Sequence, residues 1–257
     1  MIRTETDARG VATLTLARAE KHNALSAEMI AGLTEAAQTL GADPEVRVVV
    51  LSADGRTFCA GGDLGWMRDQ MEATPQDRAR EARKLAEMLQ VLNLMPKPLI
   101  GRVQGNAFGG GVGMACVCDT VVAVDAAKFA LTETKLGLIP ATIGPYVLAR
   151  MGEGRARRVF MSGRVFDADE AMALGVVAKV VSPDALDEAI EAEVAPYLAC
   201  APGAVADAKT YARSLGPVID DALIDRSIAG LMARWEDEEA QEGIGAFFDK
   251  RKPRWAK

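Results

Sequence analysis

The sequence predicts an α/β fold, and three observations carry that prediction. Short apolar runs with almost no polar interruption recur at Val46–Leu51, Leu99–Val103 and 120–124. Such runs fit strands of a parallel sheet covered on both faces. Segments with apolar residues at helical spacing separate them, and strands alternating with helices indicate α/β architecture. Of 257 residues, 49% are apolar, enough for one large core or a core plus a small appendage.

The elements follow in order. Residues 2–6 and 11–16 alternate about Asp7-Ala-Arg-Gly10, which predicts a hairpin. Ser26 is placed to cap a helix whose stripe is Ile30, Leu33, Ala37 and Leu40, with Gly41 and Pro44 ending it. The strand 46–51 carries one interruption, Arg47. Residues 65–80 are polar and show no core stripe at their start, so a mobile surface segment is expected there. A helix carrying Leu85, Met88, Leu89 and Leu92 follows it. Pro96-Lys97-Pro98 stops that helix and launches the strand at Leu99. Beyond Val181 the chain reads as almost wholly helical over 183–248, with breaks near Pro202 and Gly216-Pro217. Two regions are expected: 1–198 as the core and 199–257 as a C-terminal helical region.

Charge and composition exclude several functions. A net charge of −6 argues against a general nucleic-acid binder. No apolar run reaches the ~20 residues of a membrane span, and the N-terminus does not read as a signal peptide. A cytoplasmic protein is expected. Cys59, Cys116, Cys118 and Cys200 read as free thiols, since Cys116-Val-Cys118 lacks the two-residue spacer of common zinc or redox pairs. His22 is the only histidine, so no two-histidine metal site can form, and no metal site is expected. There is no Gly-x-Ser-x-Gly elbow, no Walker A loop and no Gly-x-Gly-x-x-Gly fingerprint.

Three segments carry candidate chemistry. In 101–119, the glycines Gly105, Gly109, Gly110, Gly111 and Gly113 lie between a buried strand and a buried helix. Each helical glycine costs roughly 1 kcal/mol relative to alanine. Either the glycines let the helix pack closely on a sheet, or they clear backbone N–H groups for negative charge, as in an oxyanion hole. The segment Phe58-Cys-Ala-Gly-Gly-Asp-Leu64 supplies a second strand-to-glycine turn. Glu133, flanked by apolar residues, is either a loop glutamate or a carboxylate with a raised pKa suited to acid–base work. The tail Phe247–Pro253 is a solvated terminus or a phosphate- or subunit-contacting end.

Together these motifs resemble the enoyl-CoA hydratase/isomerase (crotonase) superfamily over essentially the whole chain. Lys21-His-Asn-Ala-Leu25 is similar to its early substrate loop, and Phe58–Leu64 to its first oxyanion segment. Gln104–Asp119 is similar to the second, Glu133–Pro140 to the catalytic-glutamate segment, and Phe247–Arg251 to the usual ending. The resemblance implies a crotonase-like spiral of β-β-α repeats with a C-terminal α-helical region that builds trimers or hexamers. It implies Glu133 as general acid/base and the amides of Gly62 and Gly110 as the oxyanion hole. Ala24, Ala60, Asp63 and Leu64 would line the coenzyme A path, and Lys250 would reach a CoA phosphate. No cofactor is implied beyond coenzyme A as part of the substrate.

One position departs from the family's pattern. Hydratases of this type carry a further glutamate on the glycine-rich helix, where this chain has Gly113. Glu133 would then do both proton transfers, or Asp69, Glu72 or Asp77 would enter from 65–80, or the reaction would need one acid/base only. The motifs are similar to methylglutaconyl-CoA hydratases, which implies a hydro-lyase acting on a branched, carboxylated enoyl-CoA. Arg68, Arg78 and Arg83 are the candidate cations for its far end. The alternatives are a Δ3–Δ2 enoyl-CoA isomerase and a non-catalytic acyl-CoA-binding protein.

Overall fold

The chain winds in strand–strand–helix turns, and each turn leaves one strand in each of two sheets. A computed structural model describes residues 1–257. The hairpin is β1 (Ile2–Thr6) and β2 (Val11–Leu16), followed by α1 (Ala27–Ala42). The first turn holds β3 (Val48–Ala53), β4 (Thr57–Cys59), α2 (Leu64–Glu72) and α3 (Pro75–Leu94). The second holds β5 (Leu99–Val103), β6 (Asn106–Phe108) and α4 (Gly110–Val117). The third holds β7 (Thr120–Val124), β8 (Lys128–Ala130), a short 3₁₀ turn (Glu133–Leu136), α5 (Gly144–Met151) and α6 (Glu153–Phe160). β9 (Val165–Asp167), α7 (Ala168–Ala173) and β10 (Lys179–Val181) complete the core. The larger sheet runs β1-β2-β3-β5-β7-β10, and the smaller runs β4-β6-β8-β9. All neighbours are parallel except the edge pairs β1–β2 and β8–β9. This is the expected spiral of β-β-α turns.

Local rules explain most of the elements. Ser26 Oγ accepts the Met29 N–H at 3.3 Å, and the α1 stripe is buried. All six residues of β3 are buried, as a doubly covered parallel strand requires. The strand starts two residues later than expected, because the Val46 N–H turns back to Asp43 and the Arg47 N–H goes to Gly10. Arg47 itself reaches across to the carbonyl of Cys200 at 2.7 Å, which explains a charge inside an apolar run.

The expected mobile segment at 65–80 is instead helical. Asp63 Oδ1 accepts the N–H groups of Gly65 and Trp66 and starts α2. Thr74 caps α3 through the Asp77 N–H, with Pro75 at its first position. The buried residues on this stretch are Gln70 and Arg78, polar types that a hydrophobic stripe does not reveal. Arg78 stacks over Trp235 and pairs with Glu236.

The C-terminal helices are α8 (Leu186–Leu198), α9 (Pro202–Ser214), α10 (Asp221–Trp235) and α11 (Glu238–Phe248); the breaks near Pro202 and Gly216-Pro217 fall where the sequence places them, and a third, at Glu236-Asp237, was not expected. α10 lies on α3, where Ile224 and Ile228 meet Ala82 and Ala86. α11 lies on the Glu133–Leu136 turn, and a Cβ at Gly243 would sit 2.5 Å from the Leu136 carbonyl carbon. No helix is long and apolar enough to cross a membrane.

α4 is buried almost throughout, and its glycines record close packing. A Cβ at Gly111 would meet the Cys59 carbonyl at 2.6 Å. At Gly113 it would lie 2.9 Å from Ile143 Cβ and closer still to its Cγ2. Ile143 therefore occupies the direction a glutamate at 113 would take. Gly113→Glu is expected to destabilise the fold by overpacking, by about 1–3 kcal/mol. Gly113→Glu/Ile143→Ala is expected to cost less than the two single changes summed. Urea unfolding of the three variants measures this, and simple additivity would contradict the packing assigned to Ile143.

Candidate active site

Three chain segments meet at one point. The first is the loop before α1. His22 and Asn23 both adopt φ of 53°, a conformation asparagine tolerates better than most residues. Asn23 is fully buried, and its amide donates to the carbonyls of Asp54 and Thr57, both at 2.8 Å. Its carbonyl oxygen accepts the Arg18 N–H. The Lys21–Leu25 motif is thus a latch onto the second segment. The Ala60 N–H donates to His22, the Leu25 N–H to Gly61 and the Asp63 N–H to Leu25.

This second segment, 58–64, ends β4 and enters α2. The N–H groups of Ala60, Gly61 and Asp63 are all engaged. The N–H of Gly61 goes to Cys59 Sγ, while that of Gly62 meets no protein acceptor. Asp63 spends both carboxylate oxygens, one capping α2 and the other on Arg18 at 2.9 Å. Its side chain is therefore a support for the loop.

The third segment turns β6 into α4 at Gly109, whose φ of 48° and ψ of −114° exclude a side chain. Gly109 is pinned by its N–H to Ala130 on β8, at 2.8 Å. It also abuts Gly61: a Cβ at Gly109 would stand 3.8 Å from the Gly61 Cα. Gly110, the first residue of α4, has an N–H without a protein acceptor, as the first turn of a helix leaves it. Leu25 packs over it, with Cδ1 2.6 Å from where a Cβ would be. Two unpaired amides thus flank the Gly61–Gly109 contact.

Glu133 completes the site. Its carboxylate Oε1 lies 3.2 Å from the position of a Gly109 Cβ, and Oε2 is buried with no partner. Burial pushes the carboxyl from 4.5 up to about 7, opposed only by a hydrogen bond to its own backbone. The turn carrying it is held from the C-terminal side. Gly137 closes the turn with φ of 74°, and its carbonyl accepts Arg234 Nε at 2.9 Å. A Cβ at Gly137 would strike the Glu239 carbonyl of α11.

The other candidates divide. Ala24 is buried, whereas Ala60 and Leu64 are exposed. Lys250 follows α11 with φ of 55°, exposed and without an ion-pair partner. Asp69 and Glu72 are exposed, and Asp77, half-buried, is engaged by Thr74 and Arg80. No second carboxylate is thereby brought to Glu133. Arg78 and Arg83 are paired with Glu236 and Asp225, and Arg68 stacks on Phe248 with no acidic partner. Two residues escaped the sequence reading. Ile143 fills the space beside Gly113, which only the packing reveals. Trp66 lies 3.9 Å from a Cβ at Gly62 and buries an unpartnered Nε1. Its signal was its place three residues after the Asp63 cap.

The raised Glu133 pKa links to stability with a definite sign. The folded state holds this proton more tightly than the unfolded chain, whose glutamate ionises near 4.5. Ionised Glu133 therefore costs stability, little below pH 4.5 and on the order of 3 kcal/mol above pH 7. Glu133→Gln is expected to stabilise the protein relative to the wild type by more at pH 8 than at pH 4. Denaturation at the two values checks it, and a pH-independent difference would contradict the buried carboxylate.

The sequence profile of the enoyl-CoA hydratase/isomerase family matches residues 6–257. (E)-benzylidenesuccinyl-CoA hydratase of Thauera aromatica is 32% identical over 248 residues, covering 95% of this chain and 94% of that protein. The 1,2-epoxyphenylacetyl-CoA isomerase of Escherichia coli is 33% identical over 254 residues, covering 96% and 95%. The crystal structure of an enoyl-CoA hydratase from Shewanella pealeana superposes with a TM-score of 0.81 at 36% identity, covering 99% and 95%. The chain is an enzyme of the enoyl-CoA hydratase/isomerase family.

Proposed function

We propose that the protein is a hydro-lyase that adds water reversibly across the 2,3-double bond of an acyl-CoA thioester, with Glu133 as its one acid/base. The observation that carries this reading is the Glu133 carboxyl, whose Oε2 is buried without a partner, beside two unpaired amides. In the hydration direction, ionised Glu133 takes a proton from water as the oxygen bonds to C3. The electron pair of the double bond moves onto the thioester oxygen, and the N–H groups of Gly62 and Gly110 hold that charge. One such donor is worth about 3 kcal/mol in a water-poor site. Protonated Glu133 then returns the proton to C2 as the carbonyl re-forms. With Ile143 standing where a glutamate at 113 would point, one carboxyl serves both steps on one face of the substrate. A carboxyl titrating near 7 is suited to both taking and giving a proton at neutral pH.

In this reading Ala24, Ala60, Asp63 and Leu64 border the coenzyme A path, Asp63 through its backbone. Lys250 meets a CoA phosphate, and no cofactor is needed beyond the coenzyme A of the substrate. The substrate is a branched, carboxylated enoyl-CoA of the 3-methylglutaconyl type, with Arg68 as the free cation on α2. Residues 1–198 form the catalytic core, and 199–257 complete the site and build a homotrimer or hexamer.

A second reading is Δ3–Δ2 isomerisation, in which Glu133 carries one proton between C4 and C2. The apolar wall at Ile143 favours it, since isomerisation needs no site for water. Glu133→Gln is expected to lower turnover of a 2-enoyl-CoA by about 10³-fold while coenzyme A affinity changes less than about twofold. Steady-state kinetics with binding calorimetry reads both. Unchanged turnover would remove Glu133 from the chemistry.

A further inference from the structure

The C-terminal end of α4 opens on a groove of 850 Å³ that shares no residue with the site around Glu133. α5 and α9 face each other across Asp119 there. Tyr146 and Arg150 stand one turn apart on α5, and Lys209 and Arg213 one turn apart on α9. Arg150 gives its guanidinium to the carbonyls that end α4, those of Cys116, Cys118 and Asp119. Lys209 Nζ bonds Asp119 Oδ2 at 2.7 Å and the Lys97 carbonyl at 2.9 Å. Arg213 reaches the same carboxylate only at 3.5 Å, and its Nε is buried without an acceptor. Tyr146 is 1% exposed, and its hydroxyl has no partner either.

The charges in this groove do not balance. Three cations and one carboxylate line it, a surplus of two positive charges (3 − 1) in a chain of net charge −6. Burial lowers the pKa of Lys209 and of Arg213 despite Asp119, so one carboxylate does not compensate them. Buried donors without acceptors are costly, and two of them line one groove. The opposite wall is apolar, with Leu94, Pro217, Val218 and Ile219.

We propose that the groove between α5 and α9 is a second binding site, for a small organic oxyanion: a phosphate or carboxylate on an apolar body. Its oxygens accept from the Tyr146 hydroxyl and the Arg213 guanidinium beside Lys209, and its body lies against 217–219. Arg213 and Tyr146 specify the oxygens, while the apolar wall separates an organic anion from a free one.

Calorimetry on the full chain at low ionic strength tests this, with phenyl phosphate, benzoate and inorganic phosphate as probes. Phenyl phosphate or benzoate is expected to bind. Arg213→Met is expected to weaken it at least about tenfold, as loss of a charged hydrogen bond does. Tyr146→Phe keeps the ring and is expected to weaken binding severalfold without lowering the melting temperature of the unliganded protein. Glu133→Gln is expected to bind as the wild type does. Failure of the wild type to bind either organic probe overturns the proposal, as does wild-type affinity in both groove variants. Inorganic phosphate binding as tightly as phenyl phosphate overturns the role of the apolar wall.

Discussion

The backbone turn at Gly109 is the constraint on which the site depends. Only a glycine takes its φ and ψ, and only the lack of a Cβ lets the Glu133 carboxylate come this close. The same turn sets the start of α4, and so the direction of the Gly110 N–H. Its hydrogen bond to Ala130 fixes it to β8, the strand from which the chain runs on to Glu133. Its contact with Gly61 brings the loop after β4, with the free Gly62 N–H, to the same point. One unusual peptide geometry thus positions two donors and one acid.

The surrounding structure is arranged to keep these groups unsatisfied. Asn23 and Asp63 tie the first two segments together with their side chains, and the Gly62 N–H is left unpaired. α10 and α11 close over the turn that carries Glu133 through Gly137, Gly243 and Arg234. The fold tolerates a costly buried acid because it is held by backbone packing at glycines on both sides. Such local cost at a site is what a preorganised reaction centre requires.

Much of this was legible in the sequence, for identifiable reasons. Unbroken apolar runs announced β3, β5 and β7, and the Ser26 cap with its stripe announced α1. The helical C-terminal region and two of its three breaks were visible from proline and glycine; the third, at Glu236-Asp237, carries neither. The motifs around Gly62, Gly110 and Glu133 were visible as segments, but their convergence rests on sheet order and on contacts such as Gly61 to Gly109. The helices at 64–80 were not legible, because α2 and the start of α3 bury Gln70 and Arg78 in place of an apolar stripe. Nor was Ile143, thirty residues from Gly113, which decides what kind of wall the site has on that side.

The central claim is that one buried glutamate and two backbone amides suffice to add water to an enoyl thioester. Its most direct test is turnover of a 2-enoyl-CoA in ¹⁸O-labelled water, with the product analysed by mass and fragmentation. The account predicts one labelled oxygen, at C3, in a 3-hydroxyacyl-CoA. An unlabelled acyl chain, with only the position of its double bond changed, would contradict it.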